Sequence, residues 1–282
     1  DLRRRACASR IYRGSTTMTG TENGEILDFG PRGQVRVVHD SAELAHAAAE
    51  LFASTVESAV AARGKAFVAL SGGSTPKQMG ALLAREPFRS RIPWDKVEIF
   101  WGDERCVPLG SPESNAGEAM RGYLDLVGIP RENVHPWLTD PEASGAAAME
   151  YEVALRSAFG QETGVPRFDL VLLGMGDDGH TASLFPHTAA LQAEKPLAVA
   201  NFVPKLDADR LTLTRPVLNA GRAIVFLAGG PGKAEMLETV LEGPVNAEAR
   251  PAQSIAPSEP DGSLTWLVDK AAAARLTREG RA

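Results

Sequence analysis

The 282-residue sequence has few cysteines and no long apolar segment. Its two cysteines, Cys7 and Cys106, lie in unlike sequence contexts, so they do not predict the disulfide framework of a small secreted domain. The longest apolar run, Ala223–Ala228, is far shorter than a membrane span and is typical of a buried strand. We therefore expect a cytoplasmic protein that does not enter a membrane.

The sequence also lacks an excess of positive charge. Its formal net charge is −6, which disfavours broad binding to nucleic acid or to an anionic membrane surface. An apolar content of 44% and a charged content of 23% are those of an ordinary globular protein. An anionic substrate would therefore need a few dedicated cationic side chains.

Residues 1–34 carry several arginines but no apolar segment of the secretory type. We predict a disordered N-terminal extension over residues 1–34, followed by a single α/β domain over residues 35–282. A transit peptide is one alternative for this segment, and an authentic start at Met18 is another.

From residue 35 onward, short apolar strands alternate with helical segments. Strands are predicted at 35–38, 66–70, 97–101, 168–173, 197–203, 210–214, 223–228 and 264–268, and helices at 41–63, 76–83, 115–127, 143–159 and 233–241. This alternation predicts a mainly parallel sheet with helices on both faces. Because the carboxyl ends of parallel strands share one edge, polar motifs at those ends are expected to converge on one site.

The motif Gly-Met-Gly-Asp-Asp-Gly-His at 174–180 directly follows a predicted strand. Its glycines match the spacing of a dinucleotide loop, but Asp177 and Asp178 would repel a pyrophosphate, so we interpret it as a catalytic loop. His180 is suited to general-base catalysis, and Asp178 could orient it or could cap the following turn. A metal site with Asp177 and His187 is an alternative, but the spacing matches no standard zinc arrangement.

A second motif, Ser-Gly-Gly-Ser-Thr-Pro at 71–76, stands between a predicted strand and a helix. Gly72, Gly73, Ser74 and Thr75 offer small side chains and free N–H groups at a positive helix end, which indicates an anion-binding turn. Two alternatives remain: a purely structural turn, and a serine nucleophile at Ser71, because the segment approaches a nucleophile elbow.

Cationic residues and a third motif complete the set of candidates. Arg210 and Lys233 are the first candidates for binding an anion, and Lys205 is a weaker third. The segment Asp103-Glu-Arg105 is predicted to be a polar loop after the strand at 97–101, with Asp103 either placing Arg105 for catalysis or simply pairing with it.

Together, the motifs at 71–76, at 103–108 with Ser114-Asn115, and at 174–186 resemble the family of 6-phosphogluconolactonases and glucosamine-6-phosphate deaminases. The resemblance runs from about residue 35 to residue 282 and includes Arg210-Leu-Thr-Leu-Thr and Gly232-Lys-Ala. It implies a three-layer α/β fold and hydrolysis of 6-phospho-D-glucono-1,5-lactone in the oxidative pentose phosphate pathway. It also implies no metal and no nucleotide cofactor.

The resemblance implies a role for each candidate residue. His180, Asp178, Arg105 and Asp103 would be catalytic, and Arg210, Lys233 and the 72–75 turn would bind the phosphate. Asp177, His187 and the proline-poor segment 205–210 depart from the family pattern. The expected partner is a sugar-phosphate lactone, and the expected assembly is a monomer or a weak homodimer. The alternatives are a glucosamine-6-phosphate deaminase and a non-catalytic sugar-phosphate-binding module.

Overall fold

The computed structural model of the protein describes residues 24–139 and 143–277. These residues form ten strands and seven α-helices, joined by short 3-10 turns. The strands are β1 Glu25–Asp28, β2 Gln34–Val38, β3 Ala66–Leu70, β4 Val97–Trp101, β5 Asp103–Arg105, β6 Leu170–Leu173, β7 Ala198–Val203, β8 Ala208–Leu213, β9 Ala223–Ala228 and β10 Ser263–Asp269. The helices are α1 Ser41–Arg63, α2 Ser74–Leu83, α3 Phe88–Arg91, α4 Asn115–Gly122, α5 Ser144–Phe159, α6 Arg215–Asn219 and α7 Ala234–Leu241.

The main sheet has seven strands in the order β1-β2-β10-β9-β6-β3-β4. All of its neighbouring strands run parallel except β1, which pairs antiparallel with β2 at one edge. Every residue of β6, a central strand, is buried because both faces of the sheet are covered. Every residue of the edge strand β4 is buried as well, and its free side is covered by the segment at Val134 and His135, which pairs with Ile99. The predicted three-layer, mainly parallel α/β fold is confirmed.

Helix α1 illustrates how the sequence sets its own boundaries. The Asp40 carboxylate accepts hydrogen bonds from the backbone N–H groups of Ala42 and Glu43, both at 3.0 Å, and so caps the helix start. At the other end Gly64 adopts a left-handed conformation with φ of 79°, which glycine tolerates without a steric cost. The helix packs against β3, β6, β9 and β10 and so covers the middle of the sheet.

The sequence pattern did not predict a second sheet. Segment 103–105, predicted as a loop, is the strand β5, and it joins β7 and β8 in a separate antiparallel sheet of order β5-β8-β7. A polar strand of three residues has no apolar alternation, so periodicity does not reveal it. This small sheet places the side chains of β5 and β8 beside the carboxyl ends of the main sheet.

The predicted N-terminal extension over residues 1–34 is too long. Strand β1 and the 3-10 turn at Gly30–Arg32 are ordered, and Leu27 is buried in the core. The arginine-rich part, Cys7 and Met18 lie outside the described residues. In the described parts of the chain, no helix combines the length and the apolar character needed to cross a bilayer.

Candidate active site

Four neighbouring strands of the main sheet end at the candidate site. In the order β9-β6-β3-β4, they are followed by Gly229, Gly174, Ser71 and Gly102 respectively. The three polar motifs and the turn that carries Lys233 therefore start from one edge of one sheet. The convergence predicted from the sequence is confirmed.

A cleft with two adjoining lobes lies at this edge. The first lobe has a volume of about 340 Å³, and the second about 320 Å³, within the range of small-molecule sites. Both lobes are lined by Asp103, Arg105, Gly176, His180, Ala182 and Lys233. The first extends to Lys205 and Arg210, whereas the second extends to Gly72, Gly73 and Asn115.

The 174–180 loop is closed by its own hydrogen bonds. The N–H of Gly176 donates to the carbonyl oxygen of His180 at 2.8 Å, and the Thr181 hydroxyl donates to the carbonyl oxygen of Gly174 at 2.8 Å. A Cβ atom on Gly176 would lie 2.0 Å from His180 Nδ1, so the imidazole can occupy its position only above a glycine. Gly179 has φ of 80°, a left-handed conformation that favours glycine. Gly176 therefore leaves the space that the His180 imidazole occupies, and Gly179 allows the backbone turn that precedes it.

Asp178 and His180 form a hydrogen-bonded pair. Asp178 Oδ1 lies 2.6 Å from His180 Nδ1, and the imidazole stacks on Phe185 with ring centroids 4.0 Å apart. Partial burial raises the pKa of Asp178, but hydrogen bonds from Lys205 and His180 outweigh it and lower that pKa to about 2. Because Asp178 is ionised, Nδ1 of His180 carries the shared proton. Nε2 of the neutral ring is then free to accept a proton.

The other oxygen of this carboxylate is also occupied. Lys205 Nζ lies 2.9 Å from Asp178 Oδ2, on the side away from the imidazole contact. Lys205 was a candidate phosphate ligand from the sequence, but in the structure its ammonium group is bound to Asp178, the residue that also contacts His180.

Arg105 and Arg210 lie opposite each other on β5 and β8. The Arg105 guanidinium donates to the carbonyl oxygen of Glu113, and the Arg210 guanidinium donates to the carbonyl oxygen of Asp209. Among the described residues, neither guanidinium lies within ion-pair distance of a carboxylate. Burial, followed by the charge of Arg105, lowers the pKa of Arg210. Two adjacent unpaired cations in a cleft attract an anion.

Asp103 does not place Arg105 by a direct ion pair, which corrects that part of the sequence prediction. Its Oδ2 accepts a hydrogen bond from the Ser183 hydroxyl at 2.8 Å, and no ion pair joins it to Arg105 within the described residues. Burial raises the pKa of Asp103, although the Ser183 hydrogen bond and the nearby positive charges oppose this change. Successive side chains of a strand point to opposite faces, but Asp103 and Arg105 are two apart and so face the cleft together.

Glu104, between them, points the other way and was not singled out from the sequence. It is 1% exposed and accepts hydrogen bonds from the Ser114 hydroxyl and from the N–H groups of Arg105, Asn115 and Ala116. Burial outweighs these bonds and raises its pKa. Glu104 thereby ties β5 to the start of α4. A carboxylate inside a short polar segment and a Ser-Asn pair at a helix start were the available signals.

Lys233 lies in the 3-10 turn that follows β9, and its Nζ is 2.5 Å from Asp177 Oδ1. Asp177 is 81% exposed at its side chain, and the hydrogen bond from Lys233 lowers its pKa.

The first turn of α2, beginning at Ser74 and Thr75, has no side-chain cap. Its neighbours Gly72 and Gly73 line the second lobe, whereas Ser74 and Thr75 are not among the described lining residues.

Two alternative sites find no support in the geometry. The Ser71 hydroxyl is buried and has no hydrogen-bond partner among the described residues, so no described histidine activates it as a nucleophile. His187, the other candidate metal ligand, has its Nδ1 3.6 Å from Glu248 Oε1. Within residues 24–139 and 143–277, no group of three or more histidine, cysteine or acidic side chains is arranged to hold a metal ion.

Comparison with known proteins decides the family. The family described as "Glucosamine-6-phosphate isomerases/6-phosphogluconolactonase" matches residues 39–266. This chain belongs to that family. A 6-phosphogluconolactonase of Synechocystis sp. is 41% identical over 248 residues, which cover 86% of this chain and 98% of the relative. One from Streptomyces coelicolor is 38% identical over 251 residues, which cover 86% of this chain and 94% of the relative.

Solved structures agree with the fold. The 6-phosphogluconolactonase from Trypanosoma cruzi superimposes with a TM-score of 0.76 at 28% identity, covering 89% of this chain and 99% of the other. A monomeric glucosamine-6-phosphate deaminase superimposes with a TM-score of 0.70 at 21% identity, covering 86% of this chain and 99% of the other. The second match shows a shared fold only.

Proposed function

We propose that the protein hydrolyses 6-phospho-D-glucono-1,5-lactone to 6-phospho-D-gluconate, a step of the oxidative pentose phosphate pathway. One observation carries the proposal: an oriented imidazole, His180, shares a cleft with two guanidinium groups that have no carboxylate partner among the described residues. A neutral imidazole activates water, and unpaired cations complement both a phosphate and a developing oxyanion. The 6-phosphogluconolactonases that are 41% and 38% identical to the chain support this activity.

The reaction needs one proton-transfer group. Nε2 of His180 removes a proton from water as the water oxygen bonds to C1 of the lactone. The carbonyl oxygen then carries negative charge, and its return to a carbonyl breaks the bond between C1 and the ring oxygen. The ring oxygen takes the proton from His180 and becomes the 5-hydroxyl group. Asp178 keeps the imidazole in the tautomer and orientation that this cycle requires.

The cations divide between the two ends of the substrate. Arg105 lines both lobes beside His180 and stabilises the oxyanion, a kind of contact worth about 10²–10³-fold in kcat. Lys233 also lines both lobes and binds the 6-phosphate, together with Arg210 of the first lobe and the 72–75 turn, whose Gly72 and Gly73 line the second lobe. The phosphate thus holds C1 at the water next to His180. Asp103 lies on the same wall of the cleft, where its carboxyl group accepts a hydrogen bond from Ser183.

The decisive experiment measures consumption of freshly generated 6-phosphogluconolactone, corrected for spontaneous hydrolysis. We expect rapid turnover by the wild type and a loss of at least 10²-fold in kcat for His180→Gln, as for removal of a general base. His187→Gln is the matched control, because His187 is 68% exposed and does not line the cleft. Ammonia release from glucosamine 6-phosphate would instead indicate a deaminase, and binding without turnover would indicate a non-catalytic module.

We also propose a cellular location and an assembly state for the enzyme. A net charge of −6 and only two cysteines support a cytoplasmic protein without a nucleic-acid partner. We propose that it acts as a monomer or a weak homodimer, which light scattering over a range of protein concentrations tests.

A further inference from the structure

The Asp178 carboxylate has a cationic or polar donor on each of its oxygens. Oδ1 lies 2.6 Å from His180 Nδ1, and Oδ2 lies 2.9 Å from Lys205 Nζ. Oδ1 also accepts a hydrogen bond from the backbone N–H of His180 at 3.2 Å, whereas Lys205 is the one described partner of Oδ2, so the lysine fixes the end of the carboxylate that His180 does not hold. Lys205, Asp178 and His180 therefore form a continuous chain of hydrogen bonds that ends at the reacting nitrogen.

We propose that Lys205 is a positioning residue for the general base and not a ligand of the substrate phosphate. It acts by fixing Asp178 and by opposing part of the carboxylate charge that His180 experiences. The inference rests on the proposed lactone hydrolysis and assigns a residue whose role the sequence left open.

The local backbone supports this assignment. Lys205 lies in the 3-10 turn Pro204–Leu206 that joins β7 to β8, and Pro204 restricts the first φ angle of that turn. The turn ends at Asp207 with φ of 46°, and Leu206 lines the first lobe of the cleft. The turn therefore places Lys205 at the cleft beside Asp178.

Lys205 and Lys233 bind carboxylates that differ in burial. The Asp178 side chain is 23% exposed although Lys205 itself is 68% exposed, so moving Lys205 to a phosphate would remove a hydrogen bond from a largely buried carboxylate. The Asp177 side chain is 81% exposed, and water replaces Lys233 there at little cost. Release to a phosphate is therefore favourable for Lys233 and unfavourable for Lys205.

The charge of Lys205 also has a predictable effect on pH dependence. An ionised Asp178 favours the imidazolium form of His180, and the nearby ammonium group opposes that effect. The other charged groups that line the same cleft come from β5, β8 and the loops after β6 and β9: Asp103, Arg105, Arg210, Asp177 and Lys233. Removing Lys205 leaves these groups unchanged. The acidic limb of the kcat/KM profile should then move to higher pH.

Lys205→Met tests the proposal with two substrates. We expect kcat to fall about tenfold or more for the phosphorylated lactone and by a similar factor for unphosphorylated gluconolactone, because the lost contact is a charge-assisted hydrogen bond. Lys205→Arg should recover most of the activity. Lys195→Met is the surface control, because Lys195 is exposed and does not line the cleft. A rise in KM for the phosphorylated lactone alone, with kcat and the pH profile unchanged, would overturn the proposal.

A measurement on the substrate-free protein separates this proposal from the proposed function. The sequence has five histidines, and His180→Gln identifies the ring resonances of His180 by their disappearance from the NMR spectrum. The titration midpoint of those resonances should rise in Lys205→Met. An unchanged midpoint would contradict the inference even if the wild type turned over the lactone, and failure to turn over the lactone would refute the proposed function whatever the midpoint.

Discussion

Replacement of Asp177 by asparagine should improve binding of the phosphorylated substrate. Lys233 Nζ lies 2.5 Å from Asp177 Oδ1, so this carboxylate competes with a phosphate for the charge of the lysine. The Asp177 side chain is 81% exposed, and exposed ion pairs contribute only about 0.2–1 kcal/mol. Loss of the competing pair should therefore tighten phosphate binding by about 1.4- to 5-fold. Asparagine keeps the size of the side chain and removes only its charge.

The inhibition constant of the product, 6-phosphogluconate, measures this effect without a contribution from chemistry. It should fall in Asp177→Asn by the stated factor, and the difference should shrink as ionic strength rises. In a Lys233→Met background, Asp177→Asn should lower the inhibition constant only by removing the general repulsion between the carboxylate and the anionic product. An inhibition constant that stayed the same or rose in Asp177→Asn would refute the idea that Asp177 competes with the phosphate.

Two further predictions concern the loop and the small sheet. Gly176→Ala should lower kcat about 10²-fold, because the new Cβ would lie 2.0 Å from His180 Nδ1 and displace the imidazole. Gly174→Ala, whose Cβ would meet no described atom within 4 Å, is its control, and equal losses in the two would contradict the steric argument. Asp103→Asn should reduce activity but raise the melting temperature, because burial raises the pKa of Asp103 and the folded state therefore favours its protonated form. The free-energy cost of ionised Asp103 in the folded state grows as pH rises from the unfolded-state pKa to the higher folded-state pKa. Calorimetry should therefore find a larger gain in melting temperature for Asp103→Asn at about pH 8 than at about pH 4.5.

Most of the main sheet and its edge could be predicted from the sequence because the signals are local. Strands such as β4 and β9 are short apolar runs, and α1 carries its own cap at Asp40 and its own stop at Gly64. The rule that parallel strands end at one edge then brought the motifs at 71–76 and 174–180 together.

The small antiparallel sheet could not be predicted in the same way. Strand β5 has three residues, and its extended form depends on pairing with β8, more than a hundred residues later in the chain. A long sequence separation, 80 residues, also explains the error about Asp103. The Asp-x-Arg spacing indicated a local ion pair, but tertiary packing brings Ser183 to the carboxylate instead. Partners supplied by distant segments leave no periodic signal in either segment.

The adjacent residues Asp177 and Asp178 show most clearly what sequence reasoning lacks. Each carboxylate binds one lysine, at 2.5 Å and 2.9 Å respectively, so residue type and contact alone would give them equal roles. Their side-chain exposures of 81% and 23% separate them, because water can replace a lysine at the first carboxylate but not readily at the second. On the proposed mechanism, the first pair opens to admit an anion, whereas the second stays closed and keeps His180 oriented. The proposed division between substrate entry and catalysis then depends on the packing around the loop, which gives two consecutive aspartates different exposures.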